Sequence, residues 1–181
     1  MHAAWCQAHA PNEEIRYTDA AKNGENVTLA WHDARRSRTH AEPLPSGTTV
    51  REAELRAILA AAEDIVRTNT TARHARIFTD SQTAIHATRN SRPKSRTIKT
   101  IKKVATELRI RGTDLRITWL PGHSEIPGNE RAHRAAAEEI FHGSATGPTS
   151  HSETNNTVDP EEQAELARQA RKAHLRGFDS R

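Results

Sequence analysis

The chain has 181 residues, only 34% hydrophobic and 4% aromatic, with 27 Lys+Arg against 23 Asp+Glu for a net charge of +4. This composition fits one domain with an unpacked appendage, and its mildly basic balance permits a polyanionic partner without demanding one. The lone Cys6 excludes a disulfide framework and a cysteine zinc site; no apolar run nears the roughly 18 residues of a membrane span, and Met1–Glu14 lacks the apolar core of a signal peptide.

Residues Glu14–Asp19 alternate Ile15 and Tyr17 with Arg16 and Thr18. That is the period of a strand, here ending in a carboxylate. Lys22-Asn23-Gly24 is turn chemistry, and Val27–Trp31 follows as a second strand. A third strand is expected over Arg38–Ala41, ended by Pro43, Pro45 and Gly47. Thr49, with Glu52 three residues on, reads as a capping box. Leu55, Ile58, Leu59, Ala62, Ile65 and Val66 then form one apolar stripe at helical spacing. Ala75–Phe78 is a fourth strand, running into Thr79-Asp80. Ser81 caps a short helix from Gln82 to Arg89, which Ser91-Arg92-Pro93 breaks. A longer helix runs from Ser95 to Arg109, with Ile98, Ile101, Ala105 and Leu108 on one side, and Gly112 ends the segment. Leu115, Ile117 and Trp119 alternate as the last strand, and Asn129 reads as the N-cap of a helix reaching Phe141.

Residues 143–158 are rich in Ser, Thr, Asn and Gly and read as a polar linker. Asp159-Pro160-Glu161-Glu162 opens an appended charged helix over 159–177, with Leu166 and Leu175 as its only large apolar side chains. The expected division is a lead-in at 1–13, a folded domain at 14–142, the linker and the helix. A hairpin-rich start followed by alternating helices and strands indicates a mixed sheet flanked by helices.

Three carboxylates stand at element ends: Asp19, Asp80, and Glu54 at the start of the long helix. Open α/β sheets bind ligands at the carboxyl ends of their strands. Two divalent cations roughly 4 Å apart need several hard oxygen ligands converging on them. Taken singly, each acid has an ordinary explanation. An Asp ending a strand is a turn residue, and a Glu on a helix rim is solvated. Glu52 flanks the apolar stripe as Glu54 does, and periodicity does not choose between them.

Tyr17-Thr18-Asp19-Ala20-Ala21, Ala53-Glu54-Leu55, Thr79-Asp80-Ser81-Gln82 and the run from Trp119-Leu120-Pro121-Gly122-His123 to Gly128-Asn129-Glu130-Arg131-Ala132 occur in that order. Each short motif is weak alone. Together, over residues 14–141, they resemble the ribonuclease H type 1 domain, especially those of non-LTR retrotransposon polyproteins. Integrases share the fold but need a different acidic triad. The resemblance selects Glu54 over Glu52, because the family's helix motif is Ala-Glu-Leu. It implies an α/β ribonuclease H-like fold with a five-stranded mixed sheet flanked by helices. It also implies metal-dependent endonucleolytic cleavage of the RNA strand of RNA–DNA hybrids, with two Mg2+ ions, or Mn2+ in their place.

By that resemblance Asp19 bridges both ions, and Glu54 and Asp80 complete the site on the leaving-group side. His123, on a loop, assists proton transfer or product release. Gln82 touches the minor groove of the hybrid, where the 2′-hydroxyl marks the RNA strand. The expected partners are the hybrid and the reverse transcriptase of a parent element. A monomer in the cytoplasm or nucleus, without membrane attachment, is expected.

His133 is the departure. The family has Asp at this position, a ligand on the water-activating side. Imidazole is neutral and softer, suits Mg2+ poorly and suits a transition metal better. Glu130, one turn earlier, is the alternative acid, and Glu125 stands where many relatives have Gly. Lys99, Lys102 and Lys103, with Arg92 and Lys94, form a basic face that is either a solvated helix surface or a phosphate contact. Trp31, Phe78 and Trp119 read as core. Two rival expectations accompany the nuclease: a hybrid-binding module that has lost cleavage through His133, and a decayed element fragment.

Overall fold

The alternation and helical stripes of the sequence resolve into nine elements in a computed structural model that describes residues 12–122 and 124–143. These are β1 (Glu13–Asn23), β2 (Asn26–Asp33), β3 (Arg38–Leu44), α1 (Val50–Arg67), β4 (His74–Thr79), α2 (Gln82–Arg89), α3 (Arg96–Ile110), β5 (Asp114–Trp119) and α4 (Pro127–Gly143). The chain divides into two units, residues 1–147 and 148–181. His123, most of the lead-in and of the linker, and the appended helix lie outside the described residues.

The strands form one five-stranded sheet in the order β3-β2-β1-β4-β5. β1 pairs antiparallel with β2 and parallel with β4, β2 pairs antiparallel with β3, and β4 pairs parallel with β5. The sheet is therefore mixed, as expected. Its first strand is longer than expected. β1 runs past Asp19 and pairs with β2 as far as Asn23, where Gly24 (φ 59°) makes the turn. Its parallel pairing with β4 stops at Thr18 opposite Thr79. Pro43 does not end β3 but lies inside it, opposite Thr28. An edge strand tolerates a residue that lacks an N–H.

Alternation sends successive β1 side chains to opposite faces of the sheet. Ile15 and Tyr17 join Phe78, Leu120 and Ala132 in the smaller of two cores, which includes α4. The larger contains Trp31, Leu55, Ile58, Ile65, Ile77, Ile98, Ile101 and Leu108, from the sheet, α1 and α3. The strand is buried on both faces: Arg16 and Thr18 are 0% exposed. Their alternation with Ile15 and Tyr17 thus marks a central strand, not a half-solvated one. Arg16 is neutralised by Glu14, Asp33 and Asp64.

Local signals set the helix ends. Thr49 accepts from the Glu52 N–H, Ser81 from Ala84 and Ser95 from Ile98. The capping box at α1 is only half formed, because the Glu52 carboxylate accepts instead from Thr97 and Arg56. α4 begins at Pro127, so Asn129 lies inside its first turn and is not the N-cap. Proline is favoured at a first helical position. A side chain at Gly128 would overlap the Tyr17 ring, with a Cβ only 2.3 Å from it. Glycine there lets α4 approach β1.

Candidate metal centre

Asp19, Glu54 and Asp80 each bring one carboxylate oxygen to within 4.8 Å of the others. The sheet register explains two of them. Thr18 and Thr79 are the last parallel pair of β1 and β4, so the next residues, Asp19 and Asp80, emerge together where that pairing ends. Glu54 comes from near the start of α1. It is 6% exposed, while Glu52 is held by Thr97 and Arg56. Periodicity left these two glutamates equal; their partners separate them.

The electrostatics of this cluster are unbalanced. Burial, then the charges of Asp19 and Asp80, push the Glu54 carboxyl up to about 9. Burial and Asp80 likewise raise Asp19, against a hydrogen bond from His133. Among the described residues, no Lys or Arg forms an ion pair with any of the three. Glu54 Oε2 is buried without a hydrogen-bond partner. A buried carboxylate oxygen with neither donor nor counter-charge is costly. Three convergent carboxylates, one of them with an orphaned oxygen, fit a divalent cation of the Mg2+ or Mn2+ type.

His133, on α4, meets the cluster through Asp19, with Nδ1 2.6 Å from Asp19 Oδ2. Its side chain is half exposed, and neither it nor Glu130 belongs to the set of mutually close ligand atoms. With Asp19 ionised, the proton sits on Nδ1 and the imidazole donates.

The other sequence-selected residues fall outside the cluster. Gln82 is exposed at the first position of α2, close in sequence to Asp80. Lys99 and Lys103 are exposed on α3. Lys102 is half-buried and donates to the Asn90 carbonyl at the end of α2. Trp31 and Phe78 are buried, but Trp119 is 41% exposed. Its Nε1 donates to the Asp80 carbonyl at 3.1 Å. The Leu115, Ile117, Trp119 alternation predicts core at all three positions. At the end of an edge strand that face runs out of neighbours.

A family model described as RNase H matches residues 11–141. A search of curated proteins finds no match to the chain. The family match spans the whole described sheet, α1 to α3, and Asp19, Glu54, Asp80 and His133. No helix among the described residues is long and apolar enough to cross a membrane. The order of elements, the five-stranded mixed sheet and the family match agree, and the chain belongs to the RNase H family, nucleases that act on RNA–DNA hybrids.

Proposed function

We propose that the chain hydrolyses the RNA strand of RNA–DNA hybrids with divalent cations held by Asp19, Glu54 and Asp80, and that it derives from a retroelement polyprotein. The observation that carries this reading is the carboxylate cluster itself: three converging acids, no Lys or Arg ion pair among the described residues, and one orphaned oxygen. When bound, the cations supply an activated water and stabilise the leaving oxygen. The protein's own part is to hold three carboxylates where the β1–β4 pairing ends, beside the start of α1. Support for Gln82 as a groove contact is its exposure at the start of α2, beside the Asp80 turn. His123 is assigned a proton-transfer role on the resemblance of its loop.

His133 tempers the activity. Its Nδ1–H occupies Asp19 Oδ2, an oxygen that a cation also needs. Cleavage with Mg2+ is therefore expected to be slow, and Mn2+, which accepts imidazole more readily, is expected to support it better. The same contact favours a second reading, a module that binds hybrids without cutting them. A labelled hybrid incubated with Mg2+, Mn2+ or chelator distinguishes the two. Metal-dependent fragments, faster in Mn2+, support the enzyme. Retention of the hybrid with no fragments in either metal supports the binder.

Hybrid affinity has its own check. Lys99 and Lys103 are free to meet phosphates, whereas Lys102 is held by Asn90. Replacing Lys99 and Lys103 together should flatten the logarithmic salt dependence of binding by about two units. An unchanged slope returns both to the solvated helix surface.

A further inference from the structure

The exit of β5 grips Asp80 at three levels. The Leu120 N–H donates to the Thr79 carbonyl at 3.0 Å. The Trp119 indole donates to the carbonyl of Asp80 itself at 3.1 Å. Gly122 then lies against the carboxylate: a Cβ there would stand 2.9 Å from Asp80 Oδ2 and 3.6 Å from its Cβ and Cγ. Carbon and oxygen do not approach that closely without one of them moving. Gly122 is not among the glycines in the left-handed backbone region, which are Gly24, Gly47 and Gly112. Conformation does not call for glycine at 122; space does.

We propose that Gly122 is a positioning residue for the metal centre: its missing side chain leaves the room that Asp80 Oδ2 occupies, and so directs that carboxylate toward Asp19 and Glu54. The proposal rests on the reading that these three acids hold a cation. The group that would yield to a larger residue is the tip of one side chain, neither backbone nor core. Alanine at 122 should therefore spare the fold and disturb the site, a combination that a purely structural glycine does not give.

The test uses the full chain and its Gly122→Ala variant, with Mn2+ alone titrated by calorimetry and thermal unfolding followed in chelator. The expected result is Mn2+ affinity lowered about tenfold, within the range seen when the support of a metal ligand is lost, at a nearly unchanged unfolding midpoint. Equal affinity in the two proteins overturns the proposal. So does a large fall in the midpoint, which makes Gly122 a folding residue instead. If the unsubstituted chain itself binds no Mn2+, the cation reading fails separately. Metal-free crystal structures of both proteins then decide the positioning claim. A carboxylate of Asp80 turned away in the variant sustains it, and one in the same place in both overturns it.

Discussion

At one end of β1, Glu14, Asp33 of β2 and Asp64 of α1 surround the guanidinium of Arg16, which is wholly buried. Arg36 adds a 2.8 Å contact to Glu14 and Arg38 one of 2.8 Å to Asp64. Further along the strand, Asp19 faces Glu54 and Asp80, and among the described residues no arginine or lysine pairs with any of them. The same strand and the same helix contribute acids to both groups. Burial alone would raise Glu14, but Arg36, Thr70 and Arg16 overcome it and hold the carboxyl at about 2. Glu54, also buried and facing the charges of Asp19 and Asp80, goes to about 9. Both are raised by burial; hydrogen bonds and counter-charge reverse the sign at Glu14, and like charges reinforce it at Glu54. The first group is completed from within the chain and serves the fold. The second has no such internal counter-charge among the described residues, which is what the proposed cation site requires.

The largest test of that contrast removes the internal cation. Arg16→Met should cost about 3–5 kcal/mol, because three buried carboxylates lose their central partner. Urea unfolding measures it, and an unchanged midpoint would mean that Arg36 and Arg38 suffice. Acid should act on the same end. Glu14 is ionised in the folded state below the pH at which the unfolded chain takes up its proton. Its contribution is therefore complete above pH 4.5 and lost as pH falls toward 2, amounting to about 3 kcal/mol. Glu14→Gln should remove this limb from the curve of stability against pH.

The opposite end should respond with the opposite sign. Above pH 4.5 the metal-free fold keeps on Glu54 a proton that the unfolded chain releases, so stability falls as pH rises toward 9. Glu54→Gln should therefore stabilise the metal-free protein near neutral pH by about 2 kcal/mol. Added Mg2+ should raise the melting temperature of the unsubstituted chain but not of this variant. A variant less stable than its parent would show that the acid is needed by the fold. The smallest effect concerns His133. His133→Asp adds a fourth acid to the uncompensated end, so the metal-free melting temperature should drop. Cleavage with Mg2+ should rise at least about tenfold, equivalent to about 1.4 kcal/mol of barrier. An unchanged rate would show that the His133–Asp19 contact does not limit the reaction.

Much of the fold is legible because its signals are local. Thr49 and Ser81 cap helices where their spacing to the apolar stripes places them. The convergence of Asp19 and Asp80 is legible too, since both follow strands and the motif order sets those strands side by side. The long-range pairings are not. Asp64, which neutralises Arg16, is 48 residues away from it, and no periodicity announces that a polar position on a strand is buried. Thr97, which occupies Glu52, lies 45 residues away from that glutamate. Edge status, which admits Pro43 into β3 and exposes Trp119 on β5, depends on strand order and emerges only with the assembled sheet. Helical phase carries His133 toward Asp19 even though α4 starts two residues before the expected cap. One turn of a helix is insensitive to that error when the anchoring run, from Gly128 to Ala132, is the same.

The unequal reach of β1's two pairings also sets a gradient of motion. Residues 16–18 are paired with strands on both sides, residues 13–15 with β4 alone and residues 19–23 with β2 alone. Amide exchange along this one strand is expected to be slowest at residues 16–18 and faster beyond Thr18, because a two-stranded ribbon opens without unfolding the sheet. Asp19 stands at that seam. Fluctuations of the outer hairpin can shift its carboxylate while Ile15 and Tyr17 stay packed, so the strand combines an immobile root with a compliant tip.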